Sequence, residues 1–342
     1  MSKALKAVII GCGPGGQGRA GCHSIGYAHA LSMRRSGGRV ALVAAATRTP
    51  RNAEAFVAEF PEAKMYGDYR EMLAAEKPDL VSVCAFPPER EEMVMAALAA
   101  GAKIIWAEKP FALSADSARR MVSAAKTAGA RIFVNFQRRY GAPFATAYDA
   151  IHGGKIGKLR SAHVVHPGTG FINFGPHLID VATGWLAPRK PKTAFAAIKW
   201  SETETYQGVP IEEQLLGTVH FDDGARLVIE SGKQAATRSS ILRADGDHGF
   251  VELMLNPEPG ETGFVRGRGI DGVISCTVSN ENFHHETVET NLYFDRQLID
   301  MVRAFETKMG SRVDVENALP GIEILEALER SARENGVISW PV

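Results

Sequence analysis

Five short apolar runs in the first 135 residues, separated by stretches of helical periodicity, restrict what this chain can fold into more than any other feature. The runs are Ala7–Ile10, Val40–Ala46, Leu80–Ala85, Lys103–Ala107 and Arg131–Asn135. Between them, Ile25–Met33, Asn52–Phe60, Glu89–Ala100 and Ser114–Ala128 place apolar residues at helical spacing, with Ser24 and Ser114 as N-caps. Strands that are apolar along their whole length are buried on both faces, as in a sheet covered by helices. Strand and helix in this alternation make right-handed βαβ units and a doubly wound parallel sheet.

Past residue 135 the pattern changes. Leu159–Val165, Thr193–Lys199, Glu213–Phe221, Ala225–Ser231, Ser239–Ala244 and Phe250–Leu255 read as strands, with turn residues at Asp222-Asp223-Gly224 and Asp245-Gly246. Helices are expected around Pro176–Trp185, Asn291–Thr307 and Val315–Asn335, and residues 257–272 read as a mobile loop rich in Gly, Pro and charge. A length of 342 residues suits two domains. We place them at 1–135, an α/β parallel domain, and 136–342, an α+β domain with an open, mainly antiparallel sheet. A formal net charge of +0 gives no electrostatic reason to expect nucleic acid or an anionic membrane as partner. No apolar run reaches the roughly 20 residues of a membrane span, and the first apolar stretch is too short for a secretory leader. Cys12, Cys22, Cys84 and Cys276 match no zinc or redox spacing. They are expected to be reduced thiols in a cytoplasmic protein.

Two motifs sit at the carboxyl ends of the predicted strands, where open α/β sheets bind their ligands. Gly11-Cys12-Gly13 follows the first strand and continues in a glycine-rich insertion, Pro14–Ser24. Glycines there allow the backbone to approach a pyrophosphate, and Gly26, opening the helix, is the favoured third glycine. Cys12 is expected to pack rather than react. The acidic residue that NAD sites carry about 20 residues further on is missing, and Thr47 stands there, followed by Arg48 and Arg51. Those side chains suit a ribose 2′-phosphate, so NADP is the expected cofactor, with NAD as the alternative. The second motif is Ala107-Glu108-Lys109-Pro110. A lysine at that place can exchange protons, since burial and neighbours lower its pKa. The charge run Glu89-Arg90-Glu91-Glu92 is read as a solvated helix start. Trp106 and Trp185 are read as core, and the adjacent His284-His285 as no metal site.

Gly11-x-Gly13, Ile25-Gly26-x-x-His29, Ala85-Phe86-Pro87, Ala107-Glu108-Lys109-Pro110, Asn135–Tyr140, Gly154-Lys155-Ile156-Gly157 and Asn173–Asp180 together resemble the glucose–fructose oxidoreductase / inositol dehydrogenase / rhizopine-catabolism family (Gfo/Idh/MocA), nearly end to end. The resemblance implies a Rossmann domain followed by an open sheet through which members form homodimers or homotetramers. It implies reversible hydride transfer between a nicotinamide and a secondary alcohol of a sugar, glycoside or cyclitol. Phe86, Pro87 and Glu108 then join the cofactor residues. Lys109 and His177 handle protons, with Asn173 beside them where many members have aspartate; an amide can orient a substrate but cannot act as a base. Arg139 and His166 complete the expected substrate set. The resemblance also covers redox-neutral relatives with tightly held NAD and non-catalytic nucleotide-binding regulators.

Overall fold

A computed structural model describes residues 3–13, 25–206, 208–235, 237, 239–255, 263–278 and 288–342. The chain divides into two compact units, one of residues up to Gln137 together with 288–318, the other of residues from Arg138 together with 319–342.

In the first unit six parallel strands, β1 (Leu5–Ile10), β2 (Val40–Ala46), β3 (Lys64–Tyr66), β4 (Leu80–Val83), β5 (Ile104–Ala107) and β6 (Arg131–Val134), lie in the order β3-β2-β1-β4-β5-β6. The helices between them are α1 (Ile25–Arg34), α2 (Pro50–Glu59), α3 (Tyr69–Glu76), α4 (Pro87–Ala99) and α5 (Ala115–Thr127). β4 and β5 are buried at every residue, as expected of apolar strands covered on both faces; the one polar side chain among them is Ser82 of β4. The order reverses between β1 and β4, so the loops after these strands border the crevice where such sheets bind ligands. Ser114 caps α5 by accepting the Ser117 N–H at 3.2 Å, as expected. Ser24 lies outside the described residues.

The short pair β3 and α3 has no counterpart in the sequence reading. Three residues of strand give too short a run to detect, although Asp68 caps α3 through the Arg70 N–H at 2.7 Å. A single boundary at residue 135 is also corrected, because α8 (Val288–Thr307) and the 3-10 turn Val315–Asn317 return to this unit. Phe294, Leu298, Met301 and Val302 of α8 are buried, Val134 N–H donates to the Val313 carbonyl at 3.0 Å, and Arg131 pairs with Asp314 at 2.5 Å.

The second unit is a nine-stranded sheet in the order β14-β13-β12-β11-β7-β10-β9-β8-β15. Its members are β7 (Leu159–His166), β8 (Pro191–Tyr206), β9 (Val209–Phe221), β10 (Arg226–Gly232), β11 (Ser240–Gly246), β12 (Phe250–Leu255), β13 (Gly263–Gly269), β14 (Gly272–Val278) and β15 (Ile338–Ser339). Every pairing is antiparallel except β7 with β10. One face is covered by α6 (Ala142–His152), α7 (Phe171–Leu186) and α9 (Leu319–Glu334), over a core that includes Ala162, Val164, Leu178, Trp185, Leu242 and Leu328. Three expectations are corrected here. The mobile loop 257–272 overlaps β13. α7 begins at Phe171, five residues before the expected Pro176, which lies inside the helix. The last helix is α9, separated from the turn at 315–317. Trp106 and Trp185 are core residues, as read.

Candidate functional site

The glycine loop is built by close approach. Gly11 leaves β1 at φ +93° and donates its N–H to the Ala46 carbonyl at 3.0 Å; a Cβ there would lie 3.1 Å from the Cys84 carbonyl carbon. A Cβ on Gly26 would stand 2.6 Å from the Gly11 oxygen, so only glycine lets α1 begin against the loop. A Cβ on Gly13 would meet the Asn52 amide at 2.7 Å. Such close backbone packing after a first strand is chemically suited to a nucleotide's phosphates. Cys12 is buried, its thiol pushed up to about 12 by that burial, which leaves it protonated and unreactive. The insertion Pro14–Ser24 lies outside the described residues.

Thr47 follows β2, its N–H bonded to the Tyr66 carbonyl at 3.1 Å. Arg48 is exposed and pairs with Glu89 on the first turn of α4 at 3.2 Å, and Arg51 is exposed on α2. Phe86, after β4, is 41% exposed, and Pro87 opens α4. The solvated reading of 89–92 is corrected at Arg90. It is buried, and its guanidinium donates to the carbonyls of Ala85, Pro110 and Phe111. It shares an inward stripe with Met93, Val94 and Ala97, a helical spacing that the charges around it hid.

Arg90 thereby ties α4 to the turn that carries Glu108 and Lys109, and the Lys109-Pro110 bond there is cis. Glu108 is buried. Its carboxylate accepts from His29 Nε2 at 3.1 Å, from the Asn135 amide and from the Lys109 N–H at 3.2 Å. His29 Nδ1 meets Ser82 Oγ at 2.7 Å, and the imidazole stacks on Trp106 at 3.6 Å. The sequence supplied His29 and Asn135 only as parts of motifs, and Ser82 not at all; a buried histidine four strands of chain away from its carboxylate has no local signal.

In the second unit, the end of β7 and the start of α7 gather a separate group. Asn173 and His177 lie four apart on α7 and so share a face. His177 is buried, with its ring 6.2 Å from that of Phe174. Phe174 stacks on His166 at 5.0 Å, and the Arg138 guanidinium lies over the Phe174 ring at 4.7 Å. His166 bonds Ser240 Oγ at 2.8 Å; burial, then the charge of Arg138, push its pKa down to about 4, so it is neutral. Arg139 is held by Asp180 through two bonds, 2.8 and 2.5 Å. Burial raises the Asp180 carboxyl and Arg139 opposes that rise. Arg138, Phe174 and Asp180 enter the sequence reading only as members of the motifs Asn135–Tyr140 and Asn173–Asp180, with no role of their own. His284-His285 lies outside the described residues.

A family profile described as "Oxidoreductase family, NAD-binding Rossmann fold" matches residues 5–136, and one described as "Oxidoreductase family, C-terminal alpha/beta domain" matches 160–340. Among characterised proteins, inositol 2-dehydrogenase of Paracoccus denitrificans is 30% identical over 67% of this chain and 72% of its own length. Inositol 2-dehydrogenase of Pseudomonas syringae pv. syringae is 37% identical over 50% of this chain and 58% of its own. Among solved structures, an oxidoreductase from Agrobacterium radiobacter in complex with NAD+, L-tartaric acid and magnesium superposes with a TM-score of 0.80 at 16% identity, over 98% of each chain. That last likeness is one of fold. No helix among the described residues is long and apolar enough to cross a membrane.

Proposed function

The chain belongs to the Gfo/Idh/MocA family of NAD-binding oxidoreductases, and from that membership we propose that it interconverts a secondary alcohol and ketone of a sugar, glycoside or cyclitol, preferring NADP(H). The observation that carries the reading is the Glu108-Lys109-Pro110 turn, held by buried bonds at the carboxyl end of β5, in the same unit as the glycine cradle after β1. A nicotinamide, when bound, supplies the hydride acceptor.

Everything else falls to the chain's own residues. An alcohol carbon releases hydride only as its hydroxyl proton leaves, so a base must reach that oxygen. Lys109 is that base, with His177 as the second proton-handling group and substrate anchor. Asn173, one turn before His177, orients the substrate through hydrogen bonds. His166 is neutral and accepts or donates a single hydrogen bond beside Phe174. Arg139 is braced on Asp180, which favours a structural role over the expected substrate contact. Gly11, Gly13 and Gly26 admit the phosphates, Phe86 and Pro87 border the crevice, and Arg48 with Thr47 and Arg51 receives a 2′-phosphate. Assembly as a homodimer or homotetramer through the second unit's sheet belongs to the same reading, supported by the exposed Phe195 and Leu216 on β8 and β9.

The test is nicotinamide absorbance with NADP⁺ and NAD⁺ against a panel of sugars, glycosides and cyclitols, with Lys109→Ala alongside. Loss of a positioned acid–base group should lower turnover roughly a hundred- to ten-thousand-fold, with nucleotide affinity little changed. Near-normal turnover in the variant would remove Lys109 from the chemistry.

A further inference from the structure

We infer that His29 is a positioning residue for Lys109: its imidazolium neutralises the Glu108 carboxylate, which would otherwise hold Lys109 in its ammonium form. The inference rests on Lys109 being the base, as proposed above.

The geometry is that of a buried ion pair. The His29 side chain is 0% and that of Glu108 6% exposed, with Nε2 and Oε1 3.1 Å apart. A carboxylate oxygen accepts, so His29 Nε2 carries a proton. On the other side of the ring, Ser82 Oγ can accept from Nδ1–H while donating to Cys84 Sγ, 3.3 Å away. In that arrangement both ring nitrogens donate, which is the imidazolium that the inference requires. Burial by itself would discharge both partners. It pushes His29 down, yet Cys84 and Glu108 outweigh it and hold the imidazole above its ordinary value. It pushes Glu108 up, yet His29, then Lys109 and Arg90, hold the carboxyl below its ordinary value.

Lys109 appears among the charges that stabilise the Glu108 anion. That coupling is mutual: the anion stabilises the Lys109 cation equally. Alcohol oxidation needs Lys109 to start as the free amine. Glu108 cannot be dispensed with easily, since its oxygens fix the Lys109 backbone N–H and the Asn135 amide. A positive ring against the carboxylate cancels its field while leaving those bonds in place. Among the described residues, Cys84 after β4 and Glu108 after β5 act on the ring, and Lys109 after β5 and Arg90 from α4 act on Glu108. Phe294 of α8 packs on the ring at 5.6 Å, and its neighbour Asp295 is engaged by Ser32 and Arg35 of α1.

The experiment titrates Lys109 in the full chain after reductive ¹³C-methylation, which keeps the amine ionisable, with its resonance identified by its absence in Lys109→Arg. His29→Gln leaves a bare carboxylate beside Lys109 and should raise its titration midpoint by about one unit, moving the acid limb of kcat/KM upward with it. His29→Gln combined with Glu108→Gln restores a neutral pair and should return both to the wild-type position. An unmoved midpoint in His29→Gln, or a shift that the double variant keeps, overturns the inference. Should His29→Gln fail to fold, ¹⁵N-histidine spectra of the wild-type protein decide. Near pH 7.5, about a unit above the ordinary histidine midpoint, His29 should still show two protonated ring nitrogens, and a neutral ring overturns the inference. A Lys109→Ala protein that keeps its turnover sinks the catalytic reading instead, and leaves the titration to judge the charge coupling.

Discussion

Arg48 and Arg90 both stand near helix starts, and burial separates what each can do. Arg48 is 82% exposed and pairs with a half-exposed Glu89. Such a pair is worth no more than about 1 kcal/mol, whereas charged hydrogen bonds to a phosphate contribute roughly 1.5–3 kcal/mol. On the proposed NADP(H) reading, a bound 2′-phosphate would therefore win Arg48 from Glu89. Arg48→Asp should lower the NADPH-to-NADH affinity ratio by roughly ten- to a hundredfold, read by fluorescence titration with each nucleotide; an unchanged ratio removes Arg48 from cofactor choice. His166 makes a different residue-scale prediction. Unfolded, it binds a proton near 6.5; folded, only near 4. The unfolded chain thus holds the extra proton between those values, and stability falls as pH drops through that window. Chemical denaturation of the wild type and His166→Gln across pH 4 to 6.5 should show a shallower loss in the variant, which has no imidazole to protonate.

Between elements, the Arg139–Asp180 pair joins the 3-10 turn Gln137–Tyr140 to α7, the helix that carries Asn173 and His177. Arg139→Ala would leave a buried carboxylate without its cation and should cost about 3–5 kcal/mol in denaturant unfolding. Arg139→Met with Asp180→Leu should recover most of that loss, because the penalty comes from the stranded charge. None of this is visible locally, since the partners are 41 positions apart. What the sequence does disclose is whatever repeats at short range: β1, β2, β4, β5 and β6 declare themselves by short, mostly apolar runs, and Gly26 by its place at a helix start. The strand β13 does not, because Gly267 and Arg268 are poor strand formers. The strand exists because it pairs on both sides, and a Cβ at Gly267 would stand 2.2 Å from the Phe250 oxygen. Arg90 was legible in principle, on the inward spacing it shares with Met93, Val94 and Ala97, but a run of charges suggests solvent before it suggests a carbonyl clamp.

For the molecule as a whole, the feature that no linear boundary conveys is the return of 288–318 to the first unit. α8 lays Phe294, Leu298, Met301 and Val302 into that unit, and Gln297 donates to the Val134 carbonyl at 3.2 Å. Phe294 also covers the His29 ring and lies 6.4 Å from Trp106. A chain cut after Gln137 would expose the apolar stripe these side chains bury, each worth about 1.5–3 kcal/mol, against a typical domain stability of roughly 5–15 kcal/mol. Arg131 would also lose Asp314 and the carbonyls of Ala304 and Met309. A protein of residues 1–137 alone should therefore fail to give a cooperative thermal transition. The same residues joined through a flexible Gly/Ser linker to 285–318 should unfold cooperatively and bind a nicotinamide nucleotide. If the shorter chain melts as sharply as the longer, α8 is an accessory to the nucleotide unit and not part of its core.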